Sequence, residues 1–289
     1  MRKRLILLLT PIAALAAIAV SASVAASPTA SVAVAASCAT VTSGQLTIGT
    51  DNPAYPPWFA GGSKSSWKIN DPSTGKGYES AVAYAIAKKL GYSKSQVKWT
   101  YVPFNKAFAP GTKAFDFDIN QISITAARAK VVSFSRSYYD VNQALVVNKG
   151  TKIASVRSIK GLSSYKLGAQ LGTTSYTYIK NRIKPSQQPA VFNSNAAAVL
   201  ALKNKQIDGL MVDLPTAFYV TAAQVPNSKI LGQFENKGAA TDRFGVVLAK
   251  GNGLTGCVNT AITSLRTTGA LKRLQQLWLA KATGAPVLK

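Results

Sequence analysis

The stretch Phe115-Asp116-Phe117-Asp118-Ile119-Asn120-Gln121-Ile122-Ser123-Ile124-Thr125-Ala126-Ala127-Arg128 divides into two patterns. Its first half is rich in β-branched and aromatic residues and predicts a strand. Its second half predicts a helix beginning at Thr125, a favoured N-cap whose hydroxyl satisfies an otherwise free backbone donor. Three residues on, where a capping box would carry Glu or Gln, stands Arg128. A cation in the first helical turn opposes the helix dipole and costs up to ~1 kcal/mol. An anionic ligand there reverses the sign, since helix amides, two hydroxyls and a guanidinium would converge on one carboxylate. The alternative is a surface Arg paired with some Asp.

Working outward, strands and helices alternate on both sides of this stretch, as in an α/β domain. Upstream, Gln45–Thr50 reads as a strand ending in the loop Asp51-Asn52-Pro53-Ala54-Tyr55-Pro56-Pro57-Trp58-Phe59. Its prolines stiffen it and its aromatics suit ligand contact, or else cover the core. Tyr78–Leu90 has apolar residues at helical spacing and Gly91 at its end, and Val97–Tyr101 alternates as a strand.

Downstream, Val141–Val147 reads as a strand. Lys166–Gln170 is another, ending at Gly172-Thr173-Thr174, which opens a helix. That helix start is a second anion site or a plain N-cap. Ile207–Asp213 is a strand ending in acid. Asp213 is either a helix-start residue or a carboxylate facing a ligand cation from a strand's C-terminal end. Phe244–Leu248 reads as one more strand, and two helices close the chain, about Leu254–Thr267 and Ala270–Ala280.

The whole chain has 289 residues, 47% of them apolar, with 34 Lys and Arg against 10 Asp and Glu, a formal charge of +24 and no His. Outside Arg2-Lys3-Arg4 no three basic residues are contiguous, so the charge is dispersed. Dispersed charge predicts a solvated surface rather than nucleic-acid binding; attraction to anionic polymers of a cell envelope is the other reading. Met1-Arg2-Lys3-Arg4, the apolar run from Leu5 to about Val20 and the small residues after it predict an export leader over 1–37. Cys38 and Cys257 are the two cysteines. They predict a disulfide in an exported protein; a lipid anchor at Cys38, after Ala35-Ala36-Ser37, is the competing reading.

Without His, and with both Cys assigned, most metal sites and His-based nucleophilic triads are excluded, and no glycine-rich phosphate loop occurs. No cofactor and no metal are expected. The residues describe a binder rather than an enzyme.

In order along the chain, the motifs are Gly49-Thr50-Asp51 with Tyr55-Pro56-Pro57-Trp58, then Gly77-Tyr78-Glu79, then Ser123-Ile124-Thr125-x-x-Arg128 with Phe134-Ser135 and Tyr138-Tyr139. Gly172-Thr173-Thr174, Val212-Asp213 and Phe244-Gly245-Val246 follow. This series resembles the extracellular solute-binding proteins of family 3, the amino-acid-capturing components of ABC importers. The resemblance implies an α/β, two-lobed periplasmic-binding-protein-like clamshell (type II) with two crossover strands. Residues 38–142 plus 242–289 would form lobe 1 and residues 143–241 lobe 2, which puts Cys38 and Cys257 in one lobe.

The resemblance also implies a ligand set. Arg128 would hold an α-carboxylate, helped by Ser123, Thr125, Thr173 and Thr174, and Asp213 would meet the α-ammonium. Asp51, Tyr55, Trp58, Asn120, Gln121 and Gln170 would complete the pocket. Several departures from the family's pattern fall at the side-chain end: Ala81, Asp118, Asn120-Gln121 and a longer loop before Tyr55. The implied function is extracytoplasmic capture of a free polar or basic amino acid by a monomer that closes on it and delivers it to an ABC permease. A dehydratase-like enzyme for small carboxylic acids on the same fold and an envelope-associated sensory module are the alternatives.

Overall fold

Five consecutive buried residues, Leu46–Thr50, form β1. In the computed structural model, which describes residues 38–64, 66–235, 242–282 and 284–289, β1 lies in a five-stranded sheet. Its parallel neighbours are β2 (Val97–Tyr101) and β3 (Phe117–Asp118). The order β2-β1-β3-β12-β4 is completed antiparallel by β12 (Val247–Ala249), with β4 (Val132–Phe134) at the edge. Helix α1 (Tyr78–Lys89) and the closing pair α7 (Leu254–Thr267) and α8 (Ala270–Leu279) pack into the core of this lobe, with Trp58, Phe117 and Phe244.

The second sheet has the order β10-β6-β9-β7-β8. Its strands are β6 (Gln143–Asn148), β7 (Leu167–Gln170), β8 (Ala190–Phe192), β9 (Gly209–Asp213) and β10 (Ser228–Phe234). Strand β6 is buried along its whole length. Successive side chains of a strand point to opposite faces, so Leu145 and Val147 enter one hydrophobic layer while Ala144 and Val146 enter the other. Helices cover both faces, and the second lobe has two cores.

The lobes are joined through β5 (Tyr139–Val141) and β11 (Asp242–Phe244), paired antiparallel with Val141 opposite Asp242. The chain is thus a two-lobed α/β clamshell. The tail of the expected lobe 1 segment ends on the second sheet instead: Leu288 N–H donates to Gln233 O at 2.9 Å, and Leu288 is buried in the second lobe.

Three expectations change. The long strand before Thr125 shrinks to Phe117–Asp118, because the chain turns at Gln121, whose φ is +49°. The strand expected over Phe244–Leu248 is two, β11 and β12, in different sheets. The helix at Arg128 is the single turn α3 (Ala126–Ala129). So short an element has little aligned dipole, and the cost assigned to Arg128 largely vanishes.

Cys38 and Cys257 form a disulfide that ties the start of the described chain to α7. The sulfur of Cys38 is therefore not the attachment point of a lipid. The predicted leader lies outside the described residues. Among those residues, no helix is long and apolar enough to cross a membrane.

Candidate functional site

Where the ends of β1, β7 and β9 face one another, a cavity of about 330 Å³ opens between the lobes. Asp51, Tyr55, Asn120, Gln121, Ser123 and Arg128 line it from the first lobe; Gln170, Thr173, Thr174 and Asp213 line it from the second. Two expected residues stand elsewhere. Trp58 is fully buried in an aromatic cluster with Tyr78, Tyr139 and Phe244, and only its indole Nε1 reaches out, donating to Thr216 Oγ1 at 3.0 Å. Thr125 caps α3, its hydroxyl accepting Arg128 N–H at 3.2 Å.

Arg128 is only 8% exposed. Its Nη1 donates to Ser123 O at 2.7 Å and its Nη2 crosses to the second lobe, donating to Gly172 O at 2.8 Å. Phe108, 4.2 Å from the guanidinium carbon, and Phe104, at 5.7 Å, present their rings to it. These flat contacts suit a planar, weakly hydrated cation. Between described residues the one salt bridge is Lys64–Asp71, so Arg128 touches no acid there. Burial lowers its pKa to about 10, and it keeps its charge at neutral pH. A buried cation without a contacting anion is costly unless a ligand supplies one.

Asp213 ends β9 and precedes α6 (Leu214–Tyr219), yet its side chain makes no cap bond. Its Oδ1 accepts Gln143 Nε2 at 2.7 Å instead. Gln143 also donates to Asp242 Oδ2 at 3.1 Å and accepts Ser175 Oγ–H at 2.6 Å. This buried glutamine links the cleft carboxylate to the crossover strand β11. Burial, with Asp242 second, raises the Asp213 pKa to about 8, opposed by the Gln143 hydrogen bond.

Gln121 is held from behind by Glu79, which is wholly buried. Glu79 Oε1 accepts Gln121 N–H at 2.7 Å, and the carboxylate also takes Gln121 Nε2 and the Tyr138 hydroxyl. Burial raises its pKa to about 7 against those three donors. Asp118 departs from its expected place at the side-chain end of the pocket. It is fully buried, lines no part of the cavity and has both oxygens unpaired. A Cβ added at Gly49 would meet its Oδ2 at 2.6 Å, so the carboxyl packs on β1. Burial raises its pKa well above the usual carboxylate range.

The sequence reading missed Asn105, Phe104, Thr216 and Gln143. Asn105 Oδ1 and Asn120 Nδ2 are buried on the cavity without a hydrogen-bond partner. Gly172, at φ +77°, brings the second lobe against Asn105 so closely that any Cβ would strike that oxygen. Phe104 and Thr216 sit in first helical turns, where an isolated sequence gives no sign of a cleft. Gln143 carried one readable signal, a polar side chain directly before the apolar run Ala144–Val147.

The family model for bacterial extracellular solute-binding proteins, family 3, matches residues 46–281. The chain belongs to this family. That membership places its work outside the cytoplasm, in binding a solute. The glutamine-binding protein of an ABC transporter from Bacillus subtilis strain 168 is 28% identical over 216 residues, 73% of this chain and 76% of that one. The L-cystine-binding protein of Escherichia coli strain K12 is 26% identical over 249 residues, 85% of each chain. Among solved structures, an ancestral arginine-binding protein bound to arginine is 27% identical with a TM-score of 0.66, covering 81% of this chain and 98% of that chain. In this solute-binding protein the cavity lies between the two lobes, lined from both.

Proposed function

We propose that the cleft captures a free polar or basic amino acid as its zwitterion, closes on it and presents it, as a monomer, to an ABC permease. One observation carries this reading. Arg128, a buried cation with no acid in contact, and Asp213, a half-buried carboxyl, face the same cavity from opposite lobes. A ligand bearing both charges on one carbon satisfies the two lobes together, and a ligand bearing one charge satisfies only one of them. Each charge-assisted hydrogen bond is worth ~1.5–3 kcal/mol, enough in combination to bias a lobe equilibrium of a few kcal/mol. The relatives' names agree in kind: glutamine, L-cystine and arginine.

The polar or basic preference rests on the other lining groups. Asp51, with its pKa raised chiefly by burial, and the unpaired polar atoms of Asn105 and Asn120 border the cavity. A hydrocarbon side chain would leave them unsatisfied, at ~1–3 kcal/mol each. The test is a thermal-shift panel of the common amino acids. A ligand at about 100 times its Kd stabilises by ~2.7 kcal/mol. Shifts confined to Gln, Asn, Arg, Lys or His support the reading. Shifts with Leu, Ile, Val or Phe alone remove the side-chain preference, and no shift with any amino acid removes the reading.

A further inference from the structure

The two signs of charge in the sequence take different places in the fold. All ten acidic residues are described, and only Asp140, Asp208 and Glu235 are exposed. The others are buried or half-buried, and two of them, Asp51 and Asp213, line the cleft. Every described Lys and Arg except Lys113, Arg128 and Lys229 is exposed. Folding thus withdraws most negative charge from the surface and leaves the positive charge on it.

In the second lobe the separation runs through one continuous segment. Between Asp140 and Asp208 the chain contains no Asp or Glu at all. Part of this acid-free stretch folds into one layer. Ile153, Leu162, Ile179, Ile183 and the tail residue Leu288 share a single hydrophobic cluster against one face of the second sheet. Backbone bonds join its pieces: Ser186 N–H to Ser163 O at 2.8 Å and Ile159 N–H to Lys289 O at 2.9 Å. The exposed cations of that layer include Lys152, Arg157, Lys160, Arg182, Lys184 and Lys289. None has an acid partner among the described residues, and none lines the cleft.

We infer that this outer layer of the second lobe is a docking surface for a linear, phosphate-bearing polyanion of the cell envelope. Six cations on one layer offer a set of point charges, and a flexible polymer can place a phosphate against each while releasing its counterions. Of the exposed large apolar residues only Val287 belongs to the layer, so it lacks the apolar centre of a protein interface and the wedge of a lipid-inserting helix. The cleft stays free while the layer is occupied. This inference does not depend on which solute the cleft takes.

The experiment uses the protein with fluorescent linear inorganic polyphosphate as the probe, titrated at several salt concentrations. One variant combines Lys152→Gln, Arg157→Gln, Lys160→Gln and Lys184→Gln. A second, with the same loss of net charge, combines Lys88→Gln, Lys89→Gln, Lys98→Gln and Lys272→Gln on the first lobe. Neutralising about six phosphates predicts that wild-type affinity falls by roughly 300- to 2,000-fold between 50 and 200 mM salt. The second-lobe variant should bind at least tenfold more weakly than the first-lobe variant and show a shallower salt slope. The wild-type slope needs no variant and is immune to any folding defect. Equal losses in the two variants would overturn the layer, since net charge alone would then be acting. Absence of polyphosphate binding at 50 mM salt, or tighter binding to vesicles containing anionic phospholipid than to the polymer, would overturn the partner.

Discussion

The two walls of the cleft solve opposite problems by different means. The first lobe presents a cation whose charge is fixed. Arg128 is clamped by Ser123 O and Gly172 O and stacked near Phe104 and Phe108, and with its pKa lowered only to about 10 it stays protonated at neutral pH. The second lobe presents an acid whose charge is conditional. Asp213 is held by one amide hydrogen bond and has its pKa raised to about 8, so at pH 7 the ligand-free cleft carries it mostly protonated. On the proposed function, one wall waits charged for an anion, and the other becomes charged when a cation arrives.

The sharpest way to break this comparison is Arg128→Ala. Removing the fixed charge leaves a ligand carboxylate buried and unpaired, a loss of ~3–5 kcal/mol or about 10²–10⁴-fold in affinity. Calorimetry on whichever amino acid the thermal panel identifies measures it. Affinity within threefold of wild type would remove Arg128 from the site.

The conditional wall predicts a pH signature. Binding a ligand ammonium requires the ionised form of Asp213, so affinity should rise about tenfold from pH 6 to 7 and flatten above about pH 8. Calorimetry in buffers of different ionisation enthalpy should find nearly one proton released per ligand at pH 7. The stability effect has the opposite sense. A carboxyl whose folded pKa lies above its unfolded value of 3.8 favours the folded state fully below about pH 4, and that contribution is lost as pH rises through 8. Glu79, raised from 4.5 to about 7, acts in the same direction. The ligand-free melting temperature should therefore fall from pH 4 to 8. Asp213→Asn should lessen that fall, remove the proton release and cost roughly 10–100-fold in affinity. Proton release unchanged in Asp213→Asn would assign the titration to another group.

Which of these features the sequence displayed follows from where each property resides. Thr125, Arg128, Thr173 and Asp213 were readable because capping positions and strand ends are local, and a wrong residue type at such a place shows in a single chain. Asp213 illustrates the limit. Position alone could not separate a cap from a ligand group, and the choice rests on Gln143, which lies 70 residues away in sequence and only 2.7 Å away in space. Trp58 failed for a related reason: an aromatic in a proline-rich loop packs inward or outward according to neighbours such as Tyr139 and Phe244. Asp118 looked like a pocket group because strand alternation fixes only the face of the sheet, and the face it takes lies against Gly49. The cationic layer was hidden altogether, since its members become neighbours through the packing of Ile153, Leu162, Ile183 and Leu288.

Glu79→Gln tests how the first wall keeps its shape. Gln121 is a non-glycine residue with φ +49°, a conformation costing ~1 kcal/mol or more, and its two donors both end on Glu79. A carboxamide offers one accepting oxygen and sets an N–H₂ against the remaining donors. The loss of one hydrogen bond to a charged group predicts ~1.5–3 kcal/mol, shared between stability and affinity. Affinity should fall about 5–20-fold, and the part of the melting-temperature change with pH centred near 7 should disappear. A variant that keeps that component shows that Glu79 does not titrate there and assigns the component to another buried acid.

The smallest expected effect separates closure from recognition. Trp58 Nε1 crosses the cleft to Thr216 Oγ1, and Ser123 and Thr174 hydroxyls meet across it at 3.2 Å. Both are neutral bonds between lobes, each worth ~0.5–1.5 kcal/mol in the closed form. Thr216→Val keeps the shape and removes the acceptor, so affinity should fall about 2–10-fold with the ligand-free melting temperature nearly unchanged. Because Thr216 also lines the cavity, the pattern across ligands carries the meaning. An equal loss for every amino acid that binds places the bond in the closing equilibrium, common to all bound states. A loss that differs between a carboxamide and a guanidinium side chain makes Thr216 a reader of the side chain, and the second wall then selects the solute as well as closing on it.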